Sequence, residues 1–180
     1  MKNPAFKFIL LFVPSVVIWF TFYTYIYKIE LLIETDYDSL TYISKILSQQ
    51  SNYILSFLGF DATTEIQGNL VISKILNYKY NHGVWIGEPC NGVKTFGLFS
   101  IFILCFKGDI KNKLWFIPLG IILIHFLNVL RIATLTIIAA INPYWLNFNH
   151  NVTFQIIVYG TIFLLWFYWI KRFSKINSHE

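Results

Sequence analysis

Charge is scarce in this chain. Only 13% of its 180 residues are Asp, Glu, Lys or Arg, against about 25% in an ordinary soluble domain. That shortage excludes a fully water-solvated surface, and the polar residues present are bunched rather than spread. Cysteine is nearly absent too. Two thiols, Cys90 and Cys105, cannot make a disulfide framework. On one helix, fifteen residues at about 1.5 Å each set them roughly 22 Å apart. A disulfide spans about 7 Å between Cα atoms, so both thiols should be free. The paired ligand spacing of a zinc site is missing as well, and the sequence calls for neither metal nor cofactor. No internal repeat or low-complexity tract is present. The net charge of +5 does not indicate nucleic acid, because eight of the fourteen Lys and Arg residues flank hydrophobic runs. There they orient a protein in a bilayer.

What the chain has is hydrophobic bulk, 56% of residues, with 19% aromatic. The expected fold is an all-α membrane helix bundle, a single domain over residues 1–180. Its four transmembrane spans cover about 8–27, 90–106, 114–141 and 152–170. Phe8 to Tyr27 is twenty residues without a charge, the length of a membrane span. It is too long for a typical signal-peptide core and lacks a small-x-small cleavage site, so a retained anchor is expected. Residues 28–89 form an external insert. In it Leu40, Ile43, Leu47, Ile54 and Leu58 recur at mostly helical spacing and predict an amphipathic helix, on the bilayer or over the bundle. Thr63, Glu65, Gln67 and Asn69 then alternate with less polar residues. Val71-Ile72 and Val84-Trp85-Ile86, with a turn at Asn81-His82-Gly83, predict a small β-hairpin. Lys2, Lys7, the 107–113 loop and the 171–175 tail fall on one side of a four-span chain. The positive-inside rule makes that side cytoplasmic.

Depth then brings three reactive residues together. Cys90 opens the second span, and Pro89 before it predicts a helix start. A thiol in the first turn is favoured as thiolate by the helix dipole. Arg131 lies about 26 Å along the third span from Leu114, near the outer interface. His150 precedes the fourth span, where a helix start favours neutral imidazole. Asn128 shares nearly one helix face with Arg131, and Gly92 allows close backbone approach. Ordinary readings stand beside these. Arg131 could be a snorkelling anchor, His150 a loop histidine, and Cys105 filler in a membrane helix. His125, two turns below Arg131, reads as structural or as support for the site.

Cys90-Asn91-Gly92, Asn128-Val-Leu-Arg131 and His150 together resemble the exosortase/archaeosortase family of membrane-embedded sorting transpeptidases. That family pairs a Cys-x-Gly motif, an Asn-x-x-Arg motif and a His at the openings or ends of successive spans. Lys94 matches a basic position that often follows the Cys motif, and Asn91 stands where many members have Ser. The resemblance covers about residues 60–170 and is nearest a short form similar to exosortase F. It implies catalytic roles for Cys90 (nucleophile), His150 (proton transfer) and Arg131 (oxyanion), with Asn128, Gly92 and Glu88 in support. It also implies substrates that are exported proteins with C-terminal sorting signals, and an amine or water as acceptor. Two other readings remain open at this point. One is a transporter or assembly factor with Arg131 as an anion site. The other is an S-acyltransferase carrying an acyl chain on Cys90.

Overall fold

The computed structural model describes residues 4–33, 39–67, 70–78, 80, 82–87 and 90–173 (at 4, 27, 30–33, 39 and 40, the backbone alone). Lys2, Asn69, Asn81, Glu88, Pro89, Lys175, His179 and the side chain of Leu40 lie outside them.

Helix α1 runs Pro4–Ile33, α2 Ser39–Phe57, α3 Val93–Cys105 and α4 Ile110–Ile141. A 3-10 turn (Pro143–Trp145), a short helix α5 (Leu146–Phe148) and a π-helical turn (Asn149–Thr153) lead into α6, Phe154–Phe173. Three runs among the described residues are long and apolar enough to cross a membrane: Ala5–Ile26, Ile110–Ile141 and Pro143–Phe173. α3 has 13 residues, or about 20 Å of rise, short of the roughly 30 Å hydrocarbon layer. The second hydrophobic segment is thus helical over a shorter stretch than residues 90–106, because the chain turns at Asn91-Gly92 before entering the helix.

Ring contacts fix how the helices run. Phe8 and Phe12 of α1 meet Phe102 near the end of α3, while Trp19 Nε1 donates to the Lys94 carbonyl at its start. The two are therefore antiparallel. Phe96 faces His125 and Phe99 faces Phe116, so α4 runs back against α3. Phe116 also packs on Trp169 and Phe173, which makes α6 antiparallel to α4. The core of this half is aromatic: Phe99, Phe102, Phe116 and Trp169 are buried with Ile103, Ile124, Val158 and Ile162. Phe102 stacks on Trp166 at 4.2 Å.

One consequence concerns charge. Lys7, Lys107, Lys111, Lys113, Lys171 and Arg172 all fall at the same end of the bundle. Lys113 Nζ donates there to the carbonyls of Leu104 and Phe106 at 2.8 Å each, closing the exposed C-terminus of α3.

At the other end the insert covers α4. α2 is amphipathic as its spacing predicts, and it packs on the bundle: Leu47 and Leu55 are fully buried against Val129, Ile132, Ala133 and Ala140. It stops at Gly59 (φ +86°). Phe60 N–H then bonds the Leu55 carbonyl and Gly59 N–H that of Ser56, a Schellman stop that a left-handed glycine permits. The expected hairpin is part of a larger element. β1 (Ala62–Gln67), β2 (Leu70–Ile75) and β3 (Val84–Trp85) form an antiparallel sheet in the order β1-β2-β3. The Thr63–Gln67 alternation is itself a strand, paired from Ala62↔Ile75 to Gln67↔Leu70. Along β2 every second side chain (Val71, Ser73, Ile75) is buried, as a half-covered strand requires.

Polar side chains cross this interface. Ser48 Oγ lies 2.8 Å from Thr64 Oγ1, Asn52 Nδ2 donates to Thr64 Oγ1, and Ser73 Oγ donates to Asn52 Oδ1. Ser51 Oγ donates to the Val129 carbonyl at 3.0 Å. Buried hydroxyls with partners avoid the cost of unpaired ones and fix α2 in register on α4. His125 belongs to the same seam: its Nε2 meets Gln50 Oε1 at 2.7 Å.

Candidate active site

Cys90, Arg131 and His150 meet under the insert, at the end of the bundle opposite Lys7, Lys107 and Lys113. Two local expectations are corrected. Cys90 is not in the first turn of a helix. It sits in a turn closed by Cys90 N–H to the Gly87 carbonyl, and α3 begins at Val93 with Gly92 as N-cap. His150 is not at a helix start either. Helical structure begins at Pro143, and His150 lies in the π-helical turn Asn149–Thr153. Neither residue therefore gains the first-turn helix dipole expected for it.

Short-range contacts describe them instead. Cys90 is buried in the cluster of Leu47, Val71, Ile86, Val129 and Ile132. Its Sγ lies 3.0 Å from His150 Nε2, the separation at which a thiol proton can pass to an imidazole. The opposite ring nitrogen, Nδ1, is 3.0 Å from Asn151 Oδ1. An amide oxygen only accepts, so a hydrogen on Nδ1 suits this contact, and in the neutral ring that tautomer leaves the Nε2 lone pair for the sulfur. Asn151 is itself fixed, because its Nδ2 donates to Asn147 Oδ1. The result is a relay Asn147–Asn151–His150–Cys90. Its last three members have the nucleophile, base and orienting-group order of hydrolytic triads.

Arg131 is 4% exposed, and its Nη2 donates to the backbone carbonyl of His150 at 3.1 Å. The guanidinium thus ties α4 to the turn that carries the histidine rather than reaching for the bilayer surface. Asn91 orders the approach to α3. Its Oδ1 accepts from Val93 N–H at 3.1 Å, and its Nδ2 donates to Tyr23 Oη of α1 at 3.2 Å. Lys94 lies over the Tyr23 ring, 5.1 Å from its centre.

Beside these residues is a cavity of about 310 Å3 between α1, α3, α4 and α6, with Phe20, Gly92, Lys94, Asn128, Arg131, Gln155 and Tyr159 among its walls. Both supporting residues from the sequence that are described, Asn128 and Gly92, border it. Cys105 lies toward the opposite, basic end, beside Lys107 and Lys113, and His82 is exposed in the loop before β3. Among the described residues, no three His, Cys, Asp or Glu side chains converge as metal ligands would.

Sequence reasoning missed Asn147, Asn151 and Tyr23. The two asparagines stand four residues apart around His150. That spacing puts them on one helix face, a signal that counts only once residues 143–153 are known to be helical.

A model of the transmembrane exosortase family matches residues 5–168, covering both the bundle and every residue of this cluster. No curated protein and no solved structure matches the chain. The chain belongs to the transmembrane exosortase family, whose members are membrane-embedded, cysteine-dependent sorting transpeptidases.

Proposed function

We propose that this protein cleaves the C-terminal sorting signal of exported proteins at the outer face of the cytoplasmic membrane, as a cysteine transpeptidase or protease. The observation that carries the reading is the 3.0 Å approach of Cys90 Sγ to His150 Nε2, with the ring oriented by Asn151. The Sγ proton passes to Nε2 as the sulfur attacks the peptide carbonyl carbon. Charge gathers on the carbonyl oxygen, and Arg131 stabilises it. The C–N bond then breaks and the imidazolium returns the proton to the leaving amine. A thioester on Cys90 remains, released by an amine acceptor or by water.

In the bilayer, α3 with its flanking turns makes the fourth crossing beside α1, α4 and α6. The lysine-rich end then faces the cytoplasm, and the Cys90–His150 pair faces outward. The exposed aromatic and aliphatic side chains of α1, among them Ile9, Val17, Ile18 and Phe22, contact lipid.

The test is processing of an exported protein carrying such a signal, in cells with equal membrane levels of each variant. Cys90→Ala abolishes processing and Cys90→Ser nearly so. A transporter or assembly factor would tolerate Cys90→Ser, and that outcome overturns the proposal.

A further inference from the structure

Most buried polar atoms in a folded protein have a partner. Two that do not, among the described residues, are Asn128 Nδ2 and Arg131 Nε. They lie about one helical turn apart on α4, and both residues wall the same cavity as Gly92, two residues after Cys90. Asn128 is 2% exposed, so water does not solvate its side chain as it would at a surface. A buried donor without an acceptor carries a desolvation penalty. Two of them on residues that wall one cavity form a site prepared for an acceptor oxygen that arrives with a ligand, once that oxygen displaces the packing over them.

Gly92 bears on the same point from the opposite wall. Its backbone is left-handed (φ +79°), and a Cβ built there would lie 2.1 Å from Asn128 Nδ2. The amide in its present position therefore requires a residue 92 without a side chain. The glycine two residues after the nucleophile and the asparagine one turn before the arginine are two halves of a single contact.

We infer that the Asn128 amide is a second oxyanion donor, acting with Arg131 Nε on the carbonyl oxygen of the group that acylates Cys90. This rests on the reading of Cys90 as an acylated nucleophile. It adds that Asn128 is a catalytic residue touching the reacting oxygen, and that Gly92 is there to admit it.

Two reagents separate an oxyanion role from a structural one, used on the full chain in detergent with Cys105→Ser as the parent. In p-nitrophenyl acetate, Cys90 Sγ attacks the acetyl carbon, and negative charge develops on the carbonyl oxygen. The C–O bond then breaks, leaving p-nitrophenolate and an acetyl thioester. With iodoacetamide, the sulfur displaces iodide from a saturated carbon and no oxyanion forms. Asn128→Ala and the isosteric Asn128→Asp, which lacks the N–H donors, should slow acetylation by about 10²-fold and leave alkylation within about 2-fold.

Unchanged acetylation in either variant overturns the inference, as does an equal fall in both rates, which would mark a structural role. His150→Ala tests the underlying reading separately, because it should slow both reactions. If it slows neither, the acid–base reading of Cys90 and His150 fails, while the ratio of rates in the Asn128 variants still decides the present inference. A parent whose Cys90 takes neither reagent overturns both.

Discussion

His150 is held from three directions: Cys90 Sγ and Asn151 Oδ1 at its two ring nitrogens, and Arg131 Nη2 at its carbonyl. Each contact has a measurable consequence. Without the Asn151 acceptor, the ring loses the partner that keeps hydrogen on Nδ1. Asn151→Ala should then lower Cys90 alkylation at neutral pH by about 10-fold, part of the 10²–10⁴ that a general base commonly supplies. Asn151→Asp, which keeps an acceptor, should hold near the parent rate. Equal rates for parent and Asn151→Ala would remove Asn151 from the relay. At Arg131, guanidinium offers directed N–H donors in a rigid fork, while ammonium is a point charge on a flexible stem. Arg131→Lys should keep the protein inserted but lose most processing, scored as processed to unprocessed substrate at equal membrane levels. Near-normal processing would show that charge alone suffices. The meeting of Cys90, Arg131 and His150 was legible because each is a chemistry-bearing residue near the end of a hydrophobic run, and alternating spans level those ends. Asn151 was not legible, since polar residues beside a loop histidine look like ordinary loop.

The element that hid it is the π-helical turn at Asn149–Thr153. Nothing in residues 143–153 has the apolar periodicity from which helices are read, so the stretch resembles a loop until its backbone is seen. Similarly, the Thr63–Gln67 strand shows in the sequence only as an alternation leading to a hairpin, because Glu65 and Gln67 dilute the strand preference of Thr63 and Thr64. α2 was legible from its leucines and isoleucines, but not the burial of Ser44, Ser48 and Ser51. Whether a serine faces water or a neighbouring hydroxyl depends on a partner that one helix does not reveal. The packing of α2 gives a stability prediction. Leu47 is fully buried beside Cys90, whereas Leu58 is 56% exposed. Leu47→Ala should cost about 2–5 kcal/mol in thermal unfolding in detergent micelles, and Leu58→Ala well under 1 kcal/mol. Similar losses at both positions would mean that α2 does not sit on α4 as described.

On the scale of the whole molecule, the bundle separates a lysine-rich end from an end carrying the reactive cluster, and the proposed activity requires a membrane between them. Tyr53 is 79% exposed on α2, and Lys111 is exposed at the basic end. In a background of Cys90→Ala and Cys105→Ser, Tyr53→Cys and Lys111→Cys should be labelled by a membrane-impermeant maleimide from opposite faces of the membrane. Labelling of both from one face would contradict the four-crossing arrangement. The central claim is covalent: Cys90 carries the acyl part of a cleaved exported protein. The direct measurement is mass spectrometry of the Cys90 peptide from membranes of cells expressing the substrate, before and after hydroxylamine. The expected result is a peptidyl thioester on Cys90 that hydroxylamine removes and that Cys90→Ala lacks. A fatty acyl group at that position, or a Cys90 that stays free while substrate is processed, would contradict it.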